Sequence, residues 1–445
     1  MTSQLPITAK ISLNHFILLS DDSSKSKKKY TRAKGMTTGF LNKLRSAITY
    51  RRSAARQLFA TELFGTSQCF SIDEETLYHG TKSDILKRFE TTQPMQPQSK
   101  SVILIELSPL LRRNFNADTF LTYAQRLYYF ILDMGRDYDR IDIICERYIE
   151  NSLKSQTRVD RGKGSYLKFD DKTQFPKDFK DNFLKSSKNK SSLNLYLAEK
   201  FYDFHKEDKI LVVTKNDGIL TNINDLQNEK SLTSCSAEEA DQKIIRHMIH
   251  CISSDYSHVQ IQTIDTDVFI LALAFRHAAN NPFCQVIVCL SLPKCKRFYD
   301  VTSYSKVLGN KVCQGLPFFH AFSGCDSLSS FYNHGKCKLW DKWEEFPESE
   351  LLTSTFIQLS TKPMTISNDN VDILEKYISY VYFSEYNSCL DELRMKDFEF
   401  SVHDSFRLHP PSRSGLVQHI KRAAIQAGWV DYQCKENTVL PDPSK

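Results

Sequence analysis

Short apolar runs alternate with amphipathic segments through the middle of the chain. Residues 102–105 form the first run, residues 119–134 place apolar side chains at helical spacing, and residues 140–145 form a second run. A buried strand, a helix and another buried strand in this order form the unit of a parallel sheet. The pattern therefore predicts an α/β fold that begins near Ser101.

The same alternation continues further along the chain. Strands are predicted at residues 209–213, 259–264 and 286–290, and helices at 237–251, 268–277 and 416–427. The small residues of 318–331 indicate a turn that runs towards a helix, and 335–400 has a mostly helical pattern. Residues 165–205 are a polar insertion, which we interpret as either a mobile loop or a helical segment.

These elements divide the chain into three parts. Residues 1–100 form a basic lead that we expect to be partly disordered, 101–345 form the α/β domain, and 346–445 form a helical C-terminal extension. The lead contains the polar run Ser23-Ser24-Lys25-Ser26-Lys27-Lys28-Lys29. Such a run is either a nucleic-acid arm or nuclear import signal, or a solvated tail.

The composition agrees with a globular fold, and the sequence also indicates where in the cell the protein is expected. Of the 445 residues, 41% are hydrophobic and 25% are charged, and the formal net charge is +6. The most apolar windows are far shorter than the roughly 20 residues that a membrane-spanning helix needs, so we expect no membrane partner. Without an apolar leader, the expected location is intracellular, and the basic lead favours the nucleus.

Carboxylates stand beside or at the end of apolar runs, several of them where a predicted strand ends. They are Glu106, Glu146, Glu239, Asp241, Asp265, Asp267 and Asp326. In open parallel sheets, functional sites form outside the carboxyl ends of the strands, where these acids should meet. Buried or clustered carboxylates need a positive partner, and oxygen-only ligands favour Mg²⁺ or Mn²⁺ over zinc. The pattern therefore indicates a metal-dependent site.

A simpler interpretation exists for some of these acids. Glu239 and Asp241 could lie in the solvated first turn of a helix, where acids suit the helix dipole. Asp265 and Asp267 could cap a helix that follows a strand.

The acids and their neighbours resemble the PIN-like nuclease superfamily, in its flap-endonuclease/XPG-type branch. Gly324-Cys325-Asp326, Glu239-Ala240-Asp241 and Asp265-Thr266-Asp267 resemble three motifs of that branch. Glu106 and Glu146 fall where the family ends its first strands in Asp. Lys154 and Arg158 or Arg161 match basic residues that contact the scissile phosphate in the family.

The chain is also similar to a group of animal proteins that share an EEAD…DTDV…HAFSGCD pattern. The pattern continues here with Gly335-Lys336-Cys337-Lys338 and with Trp340-Asp341-Lys342-Trp343. Trp340 and Trp343 are expected to pack in a core rather than to stack on bases. His320, inside the HAFSGCD motif, is expected to be a packed, hydrogen-bonded side chain and not a catalytic base.

The resemblance implies a PIN-like parallel sheet. It also implies that the protein hydrolyses DNA or RNA with the help of two bound Mg²⁺ or Mn²⁺ ions. Glu106, Glu146, Glu239, Asp241, Asp265, Asp267 and Asp326 would hold the ions, and Lys154, Arg158 and Arg161 would act on the phosphate. Glu106 and Glu146 replace the family's Asp, and the extra methylene moves each carboxylate. The alternative is therefore a catalytically inactive scaffold that binds nucleic acid or protein partners.

Overall fold

The structure is a computed structural model of the chain. It describes residues 67–71, 76–97, 100–113, 115–148, 164–233, 237–291, 295–400 and 406–434, and a few positions between 46 and 62. Lys154, Arg158 and Arg161 lie outside the described residues, so their expected role at a phosphate stays a prediction.

A mixed sheet of seven strands organises the described part of the chain. The strands are β1 (Ser101–Glu106), β2 (Arg140–Ile144), β3 (Ile210–Lys215), β4 (Gly218–Thr221), β5 (His258–Thr263), β6 (Gln285–Ser291) and β7 (Lys296–Asp300). Their order is β4-β3-β2-β1-β5-β6-β7. The five central strands, β3, β2, β1, β5 and β6, pair in parallel. The edge strands β4 and β7 pair antiparallel to β3 and β6. The predicted α/β class is confirmed.

Helices cover both faces of this sheet and continue into the C-terminal region. The helices are α1 (Leu107–Leu110), α2 (Phe120–Met134), α3 (Ser187–Phe204), α4 (Asn224–Gln227), α5 (Lys230–Thr233), α6 (Ala240–Ser253), α7 (Thr266–Phe275), α8 (Val301–Phe322), α9 (Lys336–Glu345), α10 (Ser349–Thr361), α11 (Asn368–Phe383), α12 (Leu390–Phe400) and α13 (Arg413–Cys434). Short 3₁₀ helices occur at Lys82–Arg88, Phe183–Lys185, Arg276–Ala278 and Phe406–Leu408. Among the residues described, no helix is both long and apolar enough to cross a membrane.

The central strand β1 is buried on both faces because its apolar side chains alternate between two cores. Val102 and Leu104 pack in the core formed with α6, α7 and the C-terminal helices. Ile103 and Ile105 pack in the opposite core with α2 and α3. Strands that are covered on both sides read as continuous apolar runs, and this is why the sequence predicted them well.

Two segments differ from the sequence prediction. The predicted turn at 318–331 begins later than expected, because Val301–Phe322 is helical, interrupted only at Gly309, and the loop that leads to α9 starts at Ser323. The second half of the polar insertion forms the long helix α3 (Ser187–Phe204), so the helical alternative holds there.

The described part of the lead packs on the α/β domain. The Thr92 amide donates to the Phe298 carbonyl at 2.8 Å and adds a bridge to β7. Phe89 packs edge-on against Phe269, Tyr304 and Trp340. The 3₁₀ helix Lys82–Arg88 is therefore fixed beside the start of α7.

Candidate metal centre

The carboxyl end of β5 presents two aspartates at the start of α7. Asp265 is the N-cap of α7, and its Oδ1 accepts a hydrogen bond from the Asp267 amide at 2.9 Å. The Asp265 amide in turn donates to Thr263 Oγ1 at 2.9 Å. A capping role was one interpretation of this motif, and the structure shows it. The cap places both aspartates at the carboxyl end of β5.

A sharp turn after α8 supplies a third aspartate, Asp326. Gly324 has a φ of +105°, a region that side-chain-bearing residues rarely adopt. A Cβ at this position would also lie 2.0 Å from Ser330 Oγ. Both the backbone angle and the close approach of Ser330 require glycine, so the Gly-Cys-Asp step has a local structural cause.

Asp265, Asp267 and Asp326 form the aspartate cluster. One oxygen of each carboxylate lies within 4.8 Å of the others, close enough for the three to hold a metal ion. All three ligands would be carboxylate oxygens, which suits a hard divalent cation. The side chains of Asp265 and Asp267 are 29% and 17% exposed and that of Asp326 is 69% exposed, so the cluster opens to solvent on one side.

Lys82 of the lead also belongs to this site, and sequence reasoning missed it. Its Nζ lies 3.1 Å from Asp265 Oδ1, 3.5 Å from Asp267 Oδ2 and 3.1 Å from Asp326 Oδ2. Burial lowers the pKa of Lys82, but the three aspartate charges outweigh burial and hold that pKa above its usual range. The ammonium is therefore charged and lies among all three carboxylates.

The segment between α8 and α9, residues 323–335, is the Asp326 loop. Contacts with this loop hold the backbone around Lys82 in place. The Gly80 amide donates to Ser330 Oγ at 2.9 Å, and the Ser330 amide donates to the Tyr78 carbonyl at 2.8 Å. Further along, Cys337 Sγ donates to the Asp84 carbonyl at 2.9 Å. Ser330 thus contacts Gly80 and also the turn at Gly324, which couples the position of Lys82 to that of Asp326.

His320 and Lys336 lie behind Asp267. His320 Nε2 is 3.4 Å from Asp267 Oδ2, an ion-pair distance without the alignment of a hydrogen bond. The buried Lys336 donates to the His320 carbonyl at 2.7 Å and to Ser323 Oγ at 2.8 Å. Burial would raise the pKa of Asp267, but His320, then Lys82 and Lys336, hold it well below its usual range. Asp267 is thus ionised at any physiological pH.

Glu106 lies at the end of β1, beside β5. Thr263 Oγ1 donates to Glu106 Oε2 at 2.6 Å. Burial raises the pKa of Glu106 to about 7, the Thr263 hydrogen bond opposes the rise, and the charges of Glu146 and Asp265 add to it. Glu106 lies outside the aspartate cluster, but it is near enough to feel the charge of Asp265.

Glu146, Glu239 and Asp241 lie on the neighbouring β2 side of the sheet. The Tyr148 hydroxyl donates to the Glu146 carboxylate. The Arg147 amide donates to the Glu238 carbonyl at 2.8 Å, which joins the end of β2 to the start of α6. Glu239 is the N-cap of α6 and Asp241 lies in its first turn. These three acids and Glu106 are not part of the aspartate cluster.

Other side chains of the motifs have structural positions. Trp340 and Trp343 are buried in the core, as expected, where their rings contact each other and both contact Phe319. Lys336 is buried as well, so it cannot contact a nucleic-acid backbone, whereas Lys338 is exposed. His320 is packed, but it contacts Asp267, so its place beside the cluster was not foreseen.

The described residues thus bring together three of the seven predicted ligands, and the other four lie outside that cluster. Compared with known proteins, the chain matches no protein-family model and no curated protein.

Proposed function

We propose that this protein hydrolyses phosphodiester bonds of DNA or RNA with Mg²⁺ or Mn²⁺ held by Asp265, Asp267 and Asp326. The observation that carries the proposal is the convergence of these carboxylates at the carboxyl ends of parallel strands. Two of them follow β5, and Asp326 comes from a turn about 60 residues later in the chain. A site where these carboxylates meet is also what the resemblance to PIN-like nucleases implies.

The bound ion would activate water and stabilise the negative charge that develops on the phosphate. The protein's part is to keep the ligands ionised and in place. His320 and Lys336 hold Asp267 in its charged form. Glu106, with a pKa of about 7, can hold or release a proton at neutral pH beside the cluster. Glu106, Glu146, Glu239 and Asp241 are the carboxylates that would hold a second ion.

The last helix offers a surface on which a polyanion could lie. Ser327 Oγ donates to Gln426 Oε1 at 3.2 Å, so the middle of α13 lies beside the Asp326 loop. On the exposed face of α13, Lys421 and Arg422 are basic and Trp429 is 46% exposed. Cationic side chains near an aromatic ring are typical of single-strand binding surfaces. Nucleic acid is therefore the partner that we propose.

A nuclease assay tests the proposal directly. Purified protein is incubated with labelled flap, hairpin and single-stranded substrates, with Mn²⁺ or with EDTA. We expect cutting that requires the metal and that falls at least about a hundredfold in Asp265→Asn and Asp326→Asn, because each change removes a charged ligand. Asp133→Asn is the matched control, since Asp133 is exposed at the end of α2, shortly before β2 begins and thus towards the amino ends of the strands. Equal cutting by Asp265→Asn and the control would contradict the assignment.

A scaffold that binds nucleic acid without cutting it is the second candidate. The observation that favours it is the Lys82 ammonium, which partly neutralises the aspartate cluster without any metal ion. In that case the same substrates would be bound but not cleaved under any metal condition, and neither Asp265→Asn nor Asp326→Asn would weaken binding.

A further inference from the structure

The Lys82 ammonium lies where a metal ion would have to lie. Its Nζ is 3.1 and 3.2 Å from the two oxygens of Asp265, 3.5 Å from Asp267 Oδ2 and 3.1 Å from Asp326 Oδ2. Mg²⁺ binds carboxylate oxygens at about 2.0–2.1 Å. An ion that shared these oxygens would come into contact with the ammonium and would meet its positive charge.

We propose that Lys82 is a built-in counter-ion of this site, whose ammonium group must leave the aspartate cluster before a divalent cation binds. The inference rests on the proposed metal centre and adds a competitor from the protein itself. In the metal-free protein Lys82 holds the three carboxylates together, and a cation has to displace it.

The surroundings of Lys82 allow such an exchange without unfolding. The backbone on either side is fixed, by Gly80 on Ser330 and by Asp84 on Cys337. The side chain itself is 30% exposed and has a flexible four-carbon stem. Rotation of the stem can therefore move the ammonium into solvent while the 3₁₀ helix stays in place.

The negative charge of the site also agrees with an exchange rather than with a permanent ion pair. Asp265 and Asp326 share the Lys82 ammonium with Asp267, whereas the positive charges of His320 and Lys336 act on Asp267 from behind the cluster. Lys336 lies near, but its Nζ is already bonded to the His320 carbonyl and to Ser323 Oγ. A divalent cation can therefore satisfy the cluster better than Lys82 does, at the cost of moving Lys82 into water.

Binding of Mn²⁺ to the full chain tests the proposal, with free Mn²⁺ followed by its electron paramagnetic resonance signal. The variant is Lys82→Met, which keeps an unbranched side chain about as long as the lysine stem and removes its charge. We expect Lys82→Met to bind Mn²⁺ about tenfold more tightly or better, because a cationic competitor within about 4 Å is gone. Lys87→Met is the control, since Lys87 lies on the same 3₁₀ helix, is 72% exposed and pairs with Asp84.

A second measurement uses the wild-type protein and does not depend on how the variant folds. Lysines are acetylated briefly with and without saturating Mn²⁺, and the modified positions are quantified by mass spectrometry. Acetylation of Lys82 should rise several-fold when Mn²⁺ is added, whereas that of Lys87 should stay constant.

The outcomes separate this inference from the proposed function. Tighter binding in Lys82→Met together with Mn²⁺-dependent exposure of Lys82 supports displacement. Equal or weaker binding in Lys82→Met, or constant Lys82 acetylation at saturating Mn²⁺, refutes displacement but leaves the metal centre intact. If neither wild type nor Lys82→Met binds Mn²⁺, the metal centre itself is wrong and the inference falls with it.

Discussion

We expect the ionised carboxyl group of Glu106 to lower the free energy of unfolding, and the change Glu106→Gln should make this effect measurable. Its side chain is buried, and its pKa rises from 4.5 to about 7, chiefly because of burial and in part because of the charges of Glu146 and Asp265. The change Glu106→Gln gives a neutral group of the same shape whose amide oxygen can still accept the hydrogen bond from Thr263.

The magnitude follows from the two pKa values. Each pKa unit corresponds to about 1.4 kcal/mol, so ionised Glu106 destabilises the folded state by about 3 kcal/mol relative to the unfolded chain. The folded state binds the proton more tightly, so stability is greatest below the unfolded pKa and falls as pH rises through the folded pKa. Wild type and Glu106→Gln should therefore be similarly stable near pH 4.5, and Glu106→Gln should be more stable by up to about 3 kcal/mol at pH 8.

Urea unfolding in EDTA, followed by tryptophan fluorescence, measures this difference at several pH values between 5 and 8. Glu199→Gln is a suitable control, because Glu199 is 58% exposed in an ion pair with Lys215 and should change little. A stability difference between wild type and Glu106→Gln that does not grow with pH would refute the reasoning. So would a wild type that is the more stable of the two at pH 8.

Two further predictions concern the Asp326 loop and α13. Gly324→Ala should destabilise the fold by about 2 kcal/mol or more, because φ is +105° and the new Cβ would collide with Ser330. Thermal unfolding measures this, and Gly335→Ala, with open space around it, should be tolerated; equal effects would contradict the argument. Replacing Lys421 and Arg422 with Gln should weaken nucleic-acid binding and reduce the salt dependence of log K by about 1–2. Fluorescence anisotropy at several salt concentrations tests this, and an unchanged slope would exclude the α13 surface.

The central strands could be predicted from sequence because burial on both faces leaves a simple apolar signal. The edge strands could not. β7 begins with the exposed Lys296 and Arg297, and β4 has only four residues. α8 was missed for a different reason: Gly309, Gly315 and Pro317 interrupt its helical pattern. In the fold, packing against α7 and α10 overrides these weak local preferences.

The site was predictable only as far as its signals are local. Asp265 and Asp267 stand at the end of an apolar run, and Asp326 belongs to a motif that resembles one of a known family. The structure brings these three residues together. Lys82 lies 183 residues before Asp265 in a polar segment without a pattern. Only the folding of the lead onto the Asp326 loop brings it to the cluster, and no sequence spacing encodes that contact.

The acids at this edge would respond to a cation in two different ways. Asp267 is kept ionised by His320, Lys82 and Lys336, so it need not lose a proton when a cation binds. Glu106 shares the edge but is half protonated near pH 7, and an added positive charge would favour its ionised form. Cation binding would therefore be coupled both to the departure of Lys82 and to the loss of a proton from Glu106. Because both steps make binding harder in the resting protein, the site would fill only where divalent cations are abundant or a bound polyanion attracts them.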